Sequence, residues 1–129
     1  MTDAARITIF YDGSCPLCRR EIAHYLRRDR AGRLEARDIA ADPAPLAAIG
    51  ASRDAAMAAL HVRDATGRVV TGAAAFLAIW DALPRWKWLA RGIRTVPGAA
   101  VLLERAYRFL APRRARVAAA LCPGERCAR

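Results

Sequence analysis

Hydrophobic and polar positions alternate, then repeat at helical spacing, in an order that predicts an α/β domain. Arg6 to Tyr11 (RITIFY) is β-branched and aromatic with partial alternation, a first strand. After DGSCPLC, the segment EIAHYLRR sets Ile22, Ala23, Tyr25 and Leu26 at helical spacings up to Asp29, with Gly32 as a stop signal. Arg33 to Ile39 alternates again, so a β-α-β unit with parallel strands is expected. Pro43, Pro45 and Gly50 punctuate the next stretch, leaving short helices near Leu46 to Ile49 and Asp54 to Ala59. Leu60 to Arg63 and Arg68 to Thr71 flank Asp64-Ala-Thr-Gly67 and predict an antiparallel hairpin, which makes the sheet mixed.

The rest of the pattern is helical. Gly72 opens a helix in which Ala73, Phe76, Leu77 and Trp80 share one face, and Pro84 stops it. Pro97 is placed to start another, with Ala99, Leu102, Leu103, Ala106, Tyr107 and Leu110 as its apolar stripe and Glu104, Arg105 and Arg108 facing water. Pro112 interrupts that helix, Arg113 to Leu121 continues as a last one, and CPGERCAR reads as a short polar tail. With no repeat and no long linker, the reading is a single domain over 1–129: a core at about 5–84, a helical extension at about 85–121 and a flexible tail at 122–129.

Composition refines this picture in two respects. Thirty-one alanines inflate an apolar content of 55%, so large core side chains are fewer than that figure suggests. The net charge of +10 is lopsided: residues 85–129 carry 11 basic and 2 acidic side chains, residues 1–84 carry 11 and 10. Arg105, Arg108, Arg113, Arg114 and Arg116 are placed for one basic stripe, which suits an acidic protein or an anionic membrane surface. Without a recognised reader motif, nucleic acid is not the expected partner. The sequence has no run of the roughly 18 to 20 uncharged apolar residues that cross a bilayer, and no export signal precedes its first strand, so a cytoplasmic setting is expected.

In that setting Cys15, Cys18, Cys122 and Cys127 suggest redox-active or metal-binding thiols over a permanent disulfide framework. Cys15 and Cys18 fall at a strand-to-helix turn. Pro16 has the fixed φ and missing N–H that suit a first helical position, which makes Cys15 the N-cap. Unpaired N–H groups and aligned peptide dipoles at a helix start stabilise negative charge, so Cys15 is the expected nucleophile and Cys18, one turn deeper, the resolving thiol. Asp12 either fastens the turn through backbone N–H groups or handles a proton in the resolving step. Gly13 lets the backbone bend and a partner chain come near Cys15.

The run FYDGSCPLC, with a strand before it and a helix after, resembles the DCC family of thiol-disulfide oxidoreductases, whose Asp and two-Cys signature falls on Asp12, Cys15 and Cys18. RDATGRVVTGAAAFLAIWDALP, LARGIRTVPG and AYRFLAPRR resemble the family's later blocks, extending the likeness over roughly residues 5–116. The resemblance implies a thioredoxin-like core, here with a mixed sheet and an α-helical C-terminal extension. The dithiol reading itself expects exchange with a protein or small-molecule disulfide or dithiol, electrons from an external thiol reductant, and no bound cofactor or metal. One departure stands out: thioredoxins present a cis-proline just before the hairpin, where neighbouring backbone pairs with substrate, and Ala55 to Leu60 contains no proline. Thr95-Val96-Pro97 follows the hairpin and reads as a helix start.

Two other readings stay open. A zinc-stabilised domain would pair Cys15 and Cys18 with Cys122 and Cys127, although the first pair lacks a glycine-rich knuckle. A basic binding module would leave the thiols a minor role. Cys122 and Cys127 could instead close a second disulfide as a relay, but incidental thiols in a polar tail are the preferred reading. His24 lies two turns from Cys15, too far for direct proton transfer, and reads as solvated or core-edge; His61 receives no role. Trp80 is expected in the core, while Trp86 and Trp88 could cap the hydrophobic edge of the sheet or stack on a ligand or interface.

Overall fold

The computed structural model describes residues 6–113 and 116. At its centre is β1 (Ile7–Tyr11), with β2 (Leu34–Asp38) parallel on one side and β3 (His61–Arg63) antiparallel on the other; β4 (Val69–Thr71) pairs antiparallel with β3. The strand order β2-β1-β3-β4 makes the mixed sheet expected from the sequence. Strand β1 is buried on both faces, which explains its incomplete alternation. Ile7 and Ile9 join Ile22 and Tyr25 of α1 (Pro16–Arg28), Leu34, Val62, and Ala75, Ala78 and Ile79 of α3 (Ala73–Asp81), with Leu83 just beyond it, in one cluster. Phe10 points the other way, into a smaller cluster with Ile39, Leu46 of a 3-10 helix (Ala44–Ile49) and Ala56 of α2 (Arg53–Ala58).

Side-chain caps set the element boundaries. Asp29 ends α1, and its carboxylate oxygens accept the N–H groups of Arg33 at 2.9 Å and Leu34 at 2.8 Å, turning the chain into β2. Ser52 caps α2 through Ala55 N–H at 3.1 Å. In the hairpin, Asp64 Oδ1 accepts from the backbone of Thr66 and Arg68, and Gly67 takes the positive φ (+88°) that the turn requires.

Two faces differ from expectation. In α3, Ala75, Ala78 and Ile79 are buried in the core cluster with the sheet strands, whereas Phe76 and Trp80 are half-buried under the later helices. Trp80 stacks on Trp86 of α4 (Trp86–Thr95) with ring centroids 5.4 Å apart, and its indole N–H donates to the Tyr25 hydroxyl at 3.0 Å. Because α3 is covered by the sheet on one side and by helices on the other, a single-stripe reading picked only part of its buried surface.

The larger correction concerns α5 (Ala99–Leu110). Pro97 stands two positions ahead of its first residue, because Gly98 in the left-handed conformation (φ +81°) forms the cap. No residue of α5 is fully buried. Leu102 and Leu110 of the expected stripe are 69% and 50% exposed, while Glu104, expected in water, is half-buried and accepts the Ala73 N–H at 2.9 Å. Tyr107 beside it packs edge-on against Phe76, centroids 5.8 Å apart. Polar anchoring, not apolar burial, sets which face of α5 turns inward. The α-helix gives way to a 3-10 turn over Ala111–Arg113, as Pro112 foretold.

Trp86 covers the core edge and Trp88 does not: it is 61% exposed, with Lys87 and Arg91 cations 5.4 and 5.0 Å from its ring. Arg105, Arg108, Arg113 and Arg116 are exposed, and Arg114 lies outside the described residues, as do Cys122, Cys127 and the tail. Among the described residues no helix is long and apolar enough to cross a membrane.

Candidate active site

Where β1 ends, the chain turns through Asp12, Gly13 and Ser14 and enters α1 with Cys15 as N-cap and Pro16 in its first turn. Cys15 has extended backbone (φ −86°, ψ 115°), which aims its side chain back over the open helix end. Its Sγ accepts the Cys18 N–H at 3.3 Å. A sulfur thus fills the place a serine or aspartate oxygen usually takes, receiving a backbone N–H and the positive end of the helix dipole. Cys15 and Cys18 are not joined by a disulfide in this structure; Cys15 is 8% exposed, Cys18 half-buried. The helix start therefore brings two thiols within one turn, as the spacing predicts.

Asp12 is 8% exposed and serves the turn: its Oδ1 accepts the Ser14 N–H at 2.9 Å and the Ser14 hydroxyl, while its carbonyl accepts the Cys15 N–H at 3.2 Å. Gly13 does allow a close approach, and the group that comes near is this chain's own Asp38. Asp38 Oδ1 accepts the Gly13 N–H at 2.9 Å as well as those of Ala40 at 3.0 Å and Ala41 at 3.3 Å, so a Cβ on residue 13 would fall 1.9 Å from the carboxylate. Asp38 ends β2 directly beside Tyr11, its register partner, and clamps the dithiol turn to the neighbouring strand. Burial, reinforced by the Asp38 charge, raises the Tyr11 hydroxyl above its ordinary value; Arg19 opposes this.

Beside the dithiol lies a half-enclosed cavity of about 200 Å³, lined by Cys18, Leu60, Phe76, Tyr107 and Leu110 among others, with Asp12 and Glu21 as its acidic members. Where no proline precedes the hairpin, Leu60 donates its N–H to the Tyr107 hydroxyl at 2.7 Å. All described peptide bonds are trans. His24 and His61 stay apart from this chemistry. The His24 ring meets Arg28 at 3.1 Å and sits against Trp86, and buried His61 bonds the Ala59 carbonyl at 2.8 Å through Nδ1.

Asp38, Glu104 and Tyr107 are the residues that reading the sequence missed. Asp38 could have been suspected as an aspartate closing a strand next to a glycine-bearing turn. Glu104 and Tyr107 sit three apart on one helical face, a spacing that pairs polar anchors as readily as apolar ones.

No group of three or more His, Cys, Asp or Glu side chains placed to hold a metal occurs among the described residues. The zinc arrangement would need Cys122 and Cys127, outside them.

No curated protein and no solved structure matches the sequence. A family model described as DCC1-like thiol-disulfide oxidoreductase matches residues 9–120, a span that holds the dithiol turn, most of the sheet and helices α1 to α5. The mixed four-stranded sheet with C-terminal helices is consistent with a thioredoxin-like fold. Residues 9–120 cover most of the sequence, and the chain belongs to the DCC1-like thiol-disulfide oxidoreductase family.

Proposed function

We propose that the protein exchanges disulfides through Cys15 and Cys18, with Cys15 attacking and Cys18 resolving. The family acts on thiols or disulfides. The single observation carrying the assignment of roles is the Cys18 N–H donated to Cys15 Sγ at the open end of α1. That contact aims a backbone donor at the Cys15 sulfur on the open end of a helix, the kind of place where catalytic cysteines sit.

In the cycle, the Cys15 thiolate attacks one sulfur of a substrate disulfide, forming a mixed disulfide and expelling the other sulfur as a thiolate. Cys18, deprotonated, then attacks Cys15 Sγ. The Cys15–Cys18 disulfide forms, the second substrate thiolate leaves, and two electrons have passed from protein to substrate. An external dithiol restores the reduced pair by the reverse exchange. Asp12, Gly13, Pro16 and Asp38 hold the turn in which this happens.

Trapping tests the order of attack. With Cys18→Ser, exposure to a disulfide should accumulate a mixed disulfide on Cys15, seen by peptide mass spectrometry, and Cys15→Ser should exchange at no more than the rate of a simple thiol. Equally fast trapping on Cys18 in the Cys15→Ser protein would reverse the roles.

A further inference from the structure

Cys15 is buried, and it is Cys18, one turn on, that borders the half-enclosed cavity. Its wall is mostly apolar, drawn from β1, α1, α2, α3 and α5 and from Leu60 before β3, and its volume is about 200 Å³. An apolar cavity of about 150 Å³ binds benzene, so this one has room for a phenyl or branched alkyl group. Asp12 and Glu21 are the acidic residues of its lining, and they disfavour an anionic guest. The backbone donor just ahead of β3 is already taken: the Leu60 N–H is donated to Tyr107, and Leu60 C=O accepts from Gly72.

We infer that this cavity is the substrate site for a small neutral disulfide or thiol bearing an aromatic or branched alkyl group, which it holds against Cys18, one helical turn from the attacking Cys15. The inference rests on the exchange reading above. It commits to a small molecule: a protein substrate pairing there would find the Leu60 N–H already given to Tyr107.

The reduced full-length chain should be mixed with benzyl 2-hydroxyethyl disulfide or with bis(2-hydroxyethyl) disulfide, which share dialkyl disulfide chemistry and differ by a phenyl group. Thiol loss is followed, and the ratio of the two rates is divided by the same ratio for glutathione as a plain thiol. A hydrophobic pocket discriminates a single methylene by roughly 10- to 200-fold, so a corrected preference of about tenfold or more for the phenyl-bearing compound is expected. Leu110→Trp places an indole in the half-exposed wall and should cut that preference severalfold; circular dichroism confirms that this surface variant is folded. A corrected ratio near one, with both disulfides still consumed faster than by glutathione, would overturn the cavity assignment and leave the exchange chemistry standing. Failure to outpace glutathione with either would overturn both. Faster exchange with a disulfide in an unfolded protein than with the benzyl compound would overturn the small-molecule assignment.

Discussion

At the scale of single residues, the site depends on hydrogen bonds to two aspartates. Asp38 accepts the N–H of Gly13 in the dithiol turn and those of Ala40 and Ala41 just after β2, the bonds to Gly13 and Ala40 being half-buried, and leaving a desolvated donor unpaired costs about 1–3 kcal/mol. Asp38→Ala should therefore destabilise the protein by about 2–4 kcal/mol, measured by urea unfolding, and slow exchange even where the protein is folded. Gly13→Ala should act through the same contact, because its new methyl can be accommodated only by displacing a carboxylate that three N–H groups hold. If Gly13→Ala were as stable and as active as the parent, the clamp would be disproved. The dithiol turn itself was legible from its residues: proline fixes where a helix can begin, and two cysteines beside it have one arrangement relative to the helix end. Asp38 was not legible, since its bond to Gly13 spans 25 positions and depends on strand register.

Between elements, an aromatic junction joins α1, α3 and α4. Tyr25 donates to Glu21 at 2.9 Å and accepts from Trp80, and Trp86 lies across both rings. Burial, with the Glu21 charge adding to it, raises the Tyr25 hydroxyl far above its ordinary value of 10.0. The sign follows from linkage: above about pH 10 the unfolded chain releases this proton and the folded one retains it, so stability falls as pH rises from there. Melting temperatures between pH 9 and 11 should drop more steeply for the parent than for Tyr25→Phe; parallel curves would remove Tyr25 as the cause. The strands and the β-α-β unit could be read from local residue types, since β1 is β-branched and aromatic and α1 buries Ile22 and Tyr25 at helical spacing, although β1 is buried on both faces and Leu26, expected on the apolar face of α1, is 41% exposed. Periodicity failed for α5, whose apolar residues include four that are at least half exposed, Val101, Leu102, Phe109 and Leu110. Its orientation is set by Glu104 at the start of α3 and by Tyr107 at Leu60, partners 31 and 47 positions away. Glu104→Ala should cost about 0.5–2 kcal/mol, the usual value of a helix cap, and Glu104→Gln should restore part of it by keeping an acceptor near Ala73 N–H.

For the molecule as a whole, the charge imbalance matters more than any one arginine. The net charge of +10 is concentrated in residues 85–129, and the field of such a surface reaches about 30 Å at 0.01 M salt but only about 8 Å at 0.15 M. Exchange with glutathione disulfide, an anion, should therefore slow as salt rises between those limits, while the rate with bis(2-hydroxyethyl) disulfide stays level. A salt response shared by both compounds would assign it to stability instead of steering.

The bond from Tyr107 to Leu60 also divides labour along the gene. If Cys15 and Cys18 exchange disulfides as proposed, the reacting groups belong to the start of α1, whereas Tyr107 and Leu110 of α5, the last complete helix described, line the proposed substrate cavity. Mutations in α5 could alter substrate choice without disturbing the sulfur chemistry, so grafting this segment from a relative is a route to exchanging one specificity for another.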